Sequence, residues 1–139
     1  MVTKKMSWGG GIKFKGTAQF GHEIVTDGSK EAGGDEAGYT PTELLLFGVA
    51  ACAGVDVVRI LQKQRQQLEG LEVEVVAHQN DEYPRPFHTL EMKFLARGKN
   101  LDPAKLGRAI QLSEDKYCTV SQTVRNQTKV ITSYEILSE

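Results

Sequence analysis

Two side chains in this sequence could carry covalent redox chemistry, the thiols of Cys52 and Cys118. A thiolate is a strong nucleophile on a defined oxidation ladder, so two cysteines that meet can cycle between dithiol and disulfide. They lie 66 positions apart, and two readings stay open: a redox pair, or two unrelated buried thiols, since free cysteine is among the most buried residue types. In GVAACAGVDVV, Cys52 is ringed by small residues that would let another backbone come close. An apolar setting raises a thiol's pKa, however, so activation requires a cation or donor brought to it. Asp56 and Arg59, four and seven residues on, share its helical face, and Arg59, the first arginine of the chain, is a candidate activator. Seven residues is ~10 Å along a helix, at the limit of an arginine's reach, so a pairing with Asp56 or a place at the wet end of the helix is equally open. Cys118, in KYCTVSQT, stands at the start of a short helix, where unpaired backbone N–H groups favour a thiolate.

The elements that must position these thiols follow from pattern. Thr40-Pro41-Thr42-Glu43 is a capping box with proline at the first helical position, and it opens the apolar run LLLFGVAACAGVDVVRIL. The run turns polar after Arg59, and Gly70 is the natural stop. Thirty positions would span roughly 45 Å, so a projecting end or a break at Gly48 or Gly54 is expected. Before the helix, residues 6–27 alternate like a short hairpin or meander, and 27–38 form a loop rich in glycine and acid. After it, Leu71–Val75 and Leu90–Phe94 alternate strictly, as half-buried strands do. Asp102-Pro103 caps a second helix with the stripe Leu106, Ala109 and Ile110; the stripe fails around 113–116, and residues 130–136 read as a last strand. The fold class is α+β, in a single domain over residues 1–139.

Composition narrows the classes of function. The formal charge is −1 with dispersed basic residues, which leaves no stripe for a phosphate backbone, so no nucleic-acid partner is expected. No run approaches the ~20 consecutive apolar residues of a membrane span, and the lysines at the N-terminus precede no apolar core; no membrane association and a cytoplasmic location are the expectation. If the two cysteines pair in such a compartment, a transient, chemical bond is expected rather than a permanent staple. His22, His78 and His88 have no zinc-site spacing to either cysteine, and neither CxxC nor HxxxH occurs, so no metal site is expected. Gly9-Gly10-Gly11 precedes a strand and reads as a flexible turn rather than a phosphate loop.

Taken together, Thr40–Leu46, Gly48–Cys52 and Asp56–Val58 resemble the cysteine-bearing helix of the OsmC/Ohr proteins, and Lys116-Tyr117-Cys118-Thr119-Val120-Ser121 resembles their second-cysteine motif. Glu82–Phe87 and Thr132–Glu135 are similar to an OsmC-like branch, so order and spacing agree over almost the whole chain. The resemblance implies an intertwined homodimer, antiparallel sheets packed around long central helices, with sites at the subunit interface. It implies a thiol-dependent peroxidase in oxidative-stress defence, acting on organic hydroperoxides or hydrogen peroxide. In it Cys52 attacks the O–O bond, Cys118 resolves the sulfenic acid as a disulfide, and an external thiol reductant restores both without a cofactor. The family glutamate directly follows the helix proline, whereas here Thr42 takes that place and Glu43 comes one later, ~100° round the helix. The family also supplies an arginine ahead of the cysteine helix, and this chain has none before Arg59, which leaves Glu43, Arg59 and Arg85 as activating or orienting candidates, beside Lys30 or the partner subunit. The alternative function is a non-catalytic dimer of the same fold that binds an apolar ligand or a protein in the interface pocket.

Overall fold

The structure is a computed structural model and describes residues 2–138. The chain divides into two compact units, residues 1–45 and 46–139.

The first unit is a three-stranded antiparallel meander, β1 (Ser7–Trp8), β2 (Phe14–Thr17) and β3 (Glu23–Thr26). The loop that follows β3 is organised by one carboxylate. Asp27, 3% exposed, accepts hydrogen bonds from the backbone N–H groups of Gly28, Asp35 and Ala37 at 2.8–3.1 Å. Burial disfavours its charge, but those three donors and the ammonium of Lys13 outweigh it and hold the carboxyl below the usual range. A Cβ at Gly34 would overlap the Gly28 carbonyl, which is why glycine sits there. The loop leads into the expected capping box: Glu43 N–H donates to Thr40 Oγ1, and Thr40 N–H and Oγ1–H both donate to Glu43 Oε2.

Helix α1 runs Pro41–Lys63 without a break at Gly48 or Gly54. It ends seven residues before Gly70. Gln66 N–H donates to Leu61 O and Arg65 N–H to Gln62 O, with Arg65 at φ 58°, which is a Schellman closure using arginine where glycine is usual. Gly70 instead lies inside β4 (Gln67–Gln79), beside a shift of register between Leu68 and Gly70. Strands β4 and β5 (Phe87–Lys99) form a long antiparallel hairpin that extends well past the strictly alternating cores at each centre.

Helix α2 (Pro103–Leu112) is N-capped by Asp102, a five-residue π-helical segment covers Ser113–Tyr117, and the short α3 (Thr119–Val124) precedes β6 (Lys129–Leu137). The sheet order is β4-β5-β6, and β6 lies parallel to β5. The β1–β2, β2–β3 and β4–β5 pairs are antiparallel as expected, and among the described residues the β5–β6 pair alone departs from that expectation. The chain leaves β5 and returns through a helical crossover, and a crossover delivers the next strand in the same direction, where a hairpin would reverse it. Alternate residues of β5 (Leu90, Met92, Phe94, Ala96) meet Val49, Ala53, Val57 and Leu61 of α1 and Leu106, Ala109 and Ile110 of α2 in one core, so the helices cover one face of the sheet. By length and composition α1 is also long and apolar enough to cross a membrane, and Val55 on its far side is exposed.

Candidate functional site

The site is built from α1, the π-helical segment and the cap of α3. On α1 the four-residue step from Cys52 to Asp56 is about one turn, which puts thiol and carboxylate on one face. Cys118 comes to the same place as the N-cap of α3, in extended backbone geometry, with its sulfur accepting from Ser121 N–H at 3.4 Å. The sulfurs of Cys52 and Cys118 and a carboxylate oxygen of Asp56 all lie within 4.8 Å of one another, and both thiols are free. The two cysteines therefore meet.

Their environments differ. Cys118 is fully buried, and Cys52 is only partly so. Burial pushes the Cys118 thiol up from its ordinary pKa; the hydrogen bonds from Ser121 oppose this, and the neighbouring Cys52 thiol adds to it. Of the two thiols, Cys52 is the more exposed.

Supporting groups come from the π-helical segment. Ser113, fully buried, donates from Oγ to Asp56 Oδ2 at 2.9 Å, and its carbonyl accepts the Cys118 N–H at 2.8 Å. One residue therefore orients both the carboxylate and the second cysteine. Glu114 accepts from Ser121 Oγ at 3.0 Å, and burial raises its pKa against the opposing pull of Ser121 and Arg125. Sequence reasoning did not point to Ser113. Its only signal is that the amphipathic stripe of α2 fails where it begins.

Arg59 is exposed and shares with Asp56 a cleft of about 370 Å³, also lined by Ile60, Lys63, Gln64, Leu112 and Tyr117. Among the described residues it forms no ion pair, and Asp56 is bonded to Ser113 instead. Arg85 sits in the β4–β5 connection, where Nε donates to Asn80 O at 2.9 Å and the guanidinium lies over Tyr83. Glu43 is engaged by Thr40, whose hydroxyl and amide hold its carboxyl below the usual range. His78 pairs with Glu91 at 2.7 Å on the exposed face of the sheet and stacks on His88. Among the described residues, those grouped closely enough to hold a metal are Cys52, Asp56 and Cys118.

Residues 33–133 match the family model of OsmC-like proteins. Protein YhfA of Escherichia coli K12 is 34% identical over 134 residues, covering 96% of this chain and 97% of its own. A hypothetical protein from Aquifex aeolicus, solved as a crystal structure, is 30% identical at a TM-score of 0.86 and covers 100% of this chain and 99% of its own. The organic hydroperoxide resistance protein OhrB of Bacillus subtilis shares the fold at 19% identity and a TM-score of 0.64, over 96% of this chain and 98% of its own. With two free thiols brought together on this α+β frame and a match over nearly its full length, the chain belongs to the OsmC family.

Proposed function

We propose that this protein is a thiol-dependent peroxidase that reduces organic hydroperoxides or hydrogen peroxide through Cys52 and Cys118. The observation that carries this reading is the asymmetric pair, a half-buried thiol whose sulfur lies within 4.8 Å of a fully buried one. Cys52 as thiolate attacks one oxygen of the O–O bond; a proton goes to the departing oxygen, and the products are Cys52 sulfenic acid and an alcohol, or water where the substrate is hydrogen peroxide. Cys118 then attacks the oxidised sulfur, giving the disulfide and water. An external thiol reductant, acting in the cytoplasm, restores both thiols. The name of the Bacillus subtilis relative by fold, an organic hydroperoxide resistance protein, supports the substrate class.

Arg59, on the cleft that adjoins Asp56, is the cation we assign to the reacting centre. Glu43 and Arg85 receive no chemical role, because each is engaged locally. We also assign the apolar, exposed side of α1 to a second copy of the chain, in a homodimer.

One molar equivalent of cumene hydroperoxide should consume both titratable thiols and leave an intramolecular Cys52–Cys118 disulfide, detected by mass spectrometry. Cys52→Ser should abolish peroxide consumption, and Cys118→Ser should leave a sulfenic acid trappable at Cys52. Two thiols persisting after that equivalent would falsify the reading.

A further inference from the structure

We propose that the reduced Cys52–Asp56–Cys118 cluster is a binding site for a thiophilic divalent cation of the Zn²⁺ class, held by two thiolates and one carboxylate with a fourth position open. The donor set carries the choice of ion. Thiolates select Zn²⁺ and its soft relatives over Mg²⁺ or Ca²⁺, and the carboxylate completes a three-ligand set of the kind that leaves one position for water or a solute.

Geometry carries the fit. With Zn–S bonds of about 2.3 Å, two sulfurs on one tetrahedral ion stand about 3.8 Å apart. The sulfurs lie within 4.8 Å of each other, so closing on a metal takes at most about 1 Å, less than the closure to the ~2 Å of a disulfide. Cys52 and Asp56 form a chelating i, i+4 pair on one helix, and Cys118 enters from a separate element, so the ligands approach from two directions.

The surrounding groups are those a metal site requires. Ser113 Oγ–H holds Asp56 through Oδ2, which leaves Oδ1 free to coordinate. Ser121 N–H points at the Cys118 sulfur and would stabilise a bound thiolate. Charge agrees as well. Two thiolates and a carboxylate carry three negative charges, and among the described residues no lysine or arginine is ion-paired to Asp56. A divalent cation that displaces both thiol protons would offset two of those charges within the cluster.

Metal and disulfide are mutually exclusive. A hydroperoxide that takes two electrons from the zinc-bound thiolates, together with two protons, yields the disulfide, an alcohol, water and free Zn²⁺. Only this consequence rests on the peroxidase reading; binding itself does not.

The test uses the fully reduced chain without peroxide. Anaerobic Co²⁺ should give thiolate-to-cobalt absorption and tetrahedral ligand-field bands at one ion per chain, and Zn²⁺ should bleach them and compete with a chromophoric chelator. Asp56→Asn should weaken both ions by at least about tenfold, Ser113→Ala by about tenfold, and Cys52→Ser, which leaves a single thiolate, should lose at least about half of the charge-transfer band. His78→Ala, on the exposed sheet face, should change nothing. Circular dichroism confirms that each variant is folded, and Asp56→Glu, which keeps the carboxylate, should bind more tightly than Asp56→Asn. Reduced protein with two titratable thiols and no tetrahedral cobalt spectrum overturns the proposal, as does Asp56→Asn binding equal to that of the parent. Metal bound without peroxide consumption would remove only the peroxidase reading, and peroxide consumed without metal binding only this one.

Discussion

At the residue scale, Cys118 does two jobs, and they can be separated. Its sulfur caps α3 by accepting Ser121 N–H, and its thiol faces Cys52. Serine is a preferred N-cap and alanine is not, so in reduced protein Cys118→Ala should be less stable than Cys118→Ser by about 1 kcal/mol, measured by urea unfolding. Equal stabilities would mean that the sulfur caps nothing. Asp27 makes a pH-dependent prediction. Its folded-state pKa is depressed, so its contribution to stability is full above the ordinary ~3.9 and is lost as pH falls through the lower folded value. The amide resonances of Asp35 and Ala37, bonded to that carboxylate, should titrate together with a midpoint below about 3.9, and a midpoint at or above it would contradict the assignment. The sequence shows both cysteines by type and sets Asp56 on the Cys52 face by helical period. It does not show Ser113, which reaches Asp56 across 57 positions and owes its role to a π-helical turn that no local pattern announces.

At the element scale, beginnings are more legible than ends. The capping box at Thr40–Glu43 and the Asp102-Pro103 start are local hydrogen-bond chemistry, and both stand where the sequence places them. The end of α1 is not local in the same sense. Arg65 adopts φ 58° because the Schellman bonds and the start of β4 demand it, although its Cβ resists that conformation, so a search for glycine runs on to Gly70 and misses the stop. The direction of β6 is hidden for a similar reason, since alternation gives a strand's faces and not its partner. Arg65→Gly removes the Cβ clash, worth about 1–2 kcal/mol, and returns part of that as unfolded-state entropy. A net gain of about 0.5–1 kcal/mol should appear as a rise of a few degrees in Tm. No gain would mean that the arginine side chain holds the turn by other contacts.

At the scale of the whole molecule, the decisive feature is the apolar helix that its own unit covers on one side only. Val49, Ala53, Val57 and Leu61 face the core, while Val55 remains 48% exposed. In a twofold dimer the same patch is used twice, so each substitution counts twice. Removing a buried valine costs about 2 kcal/mol per subunit, which doubles to about 4 kcal/mol and corresponds to about a thousandfold in Kd before the penalty of burying aspartate is added. Sedimentation equilibrium should therefore give twice the 15.3 kDa chain mass for the parent and a monomer for Val55→Asp at the same concentration. The far-ultraviolet spectrum of the variant should be unchanged, since Val55 is not among the buried core residues. A monomeric parent that floats with anionic or neutral vesicles would assign the exposed face to lipid. A dimer indifferent to Val55→Asp would place the interface elsewhere.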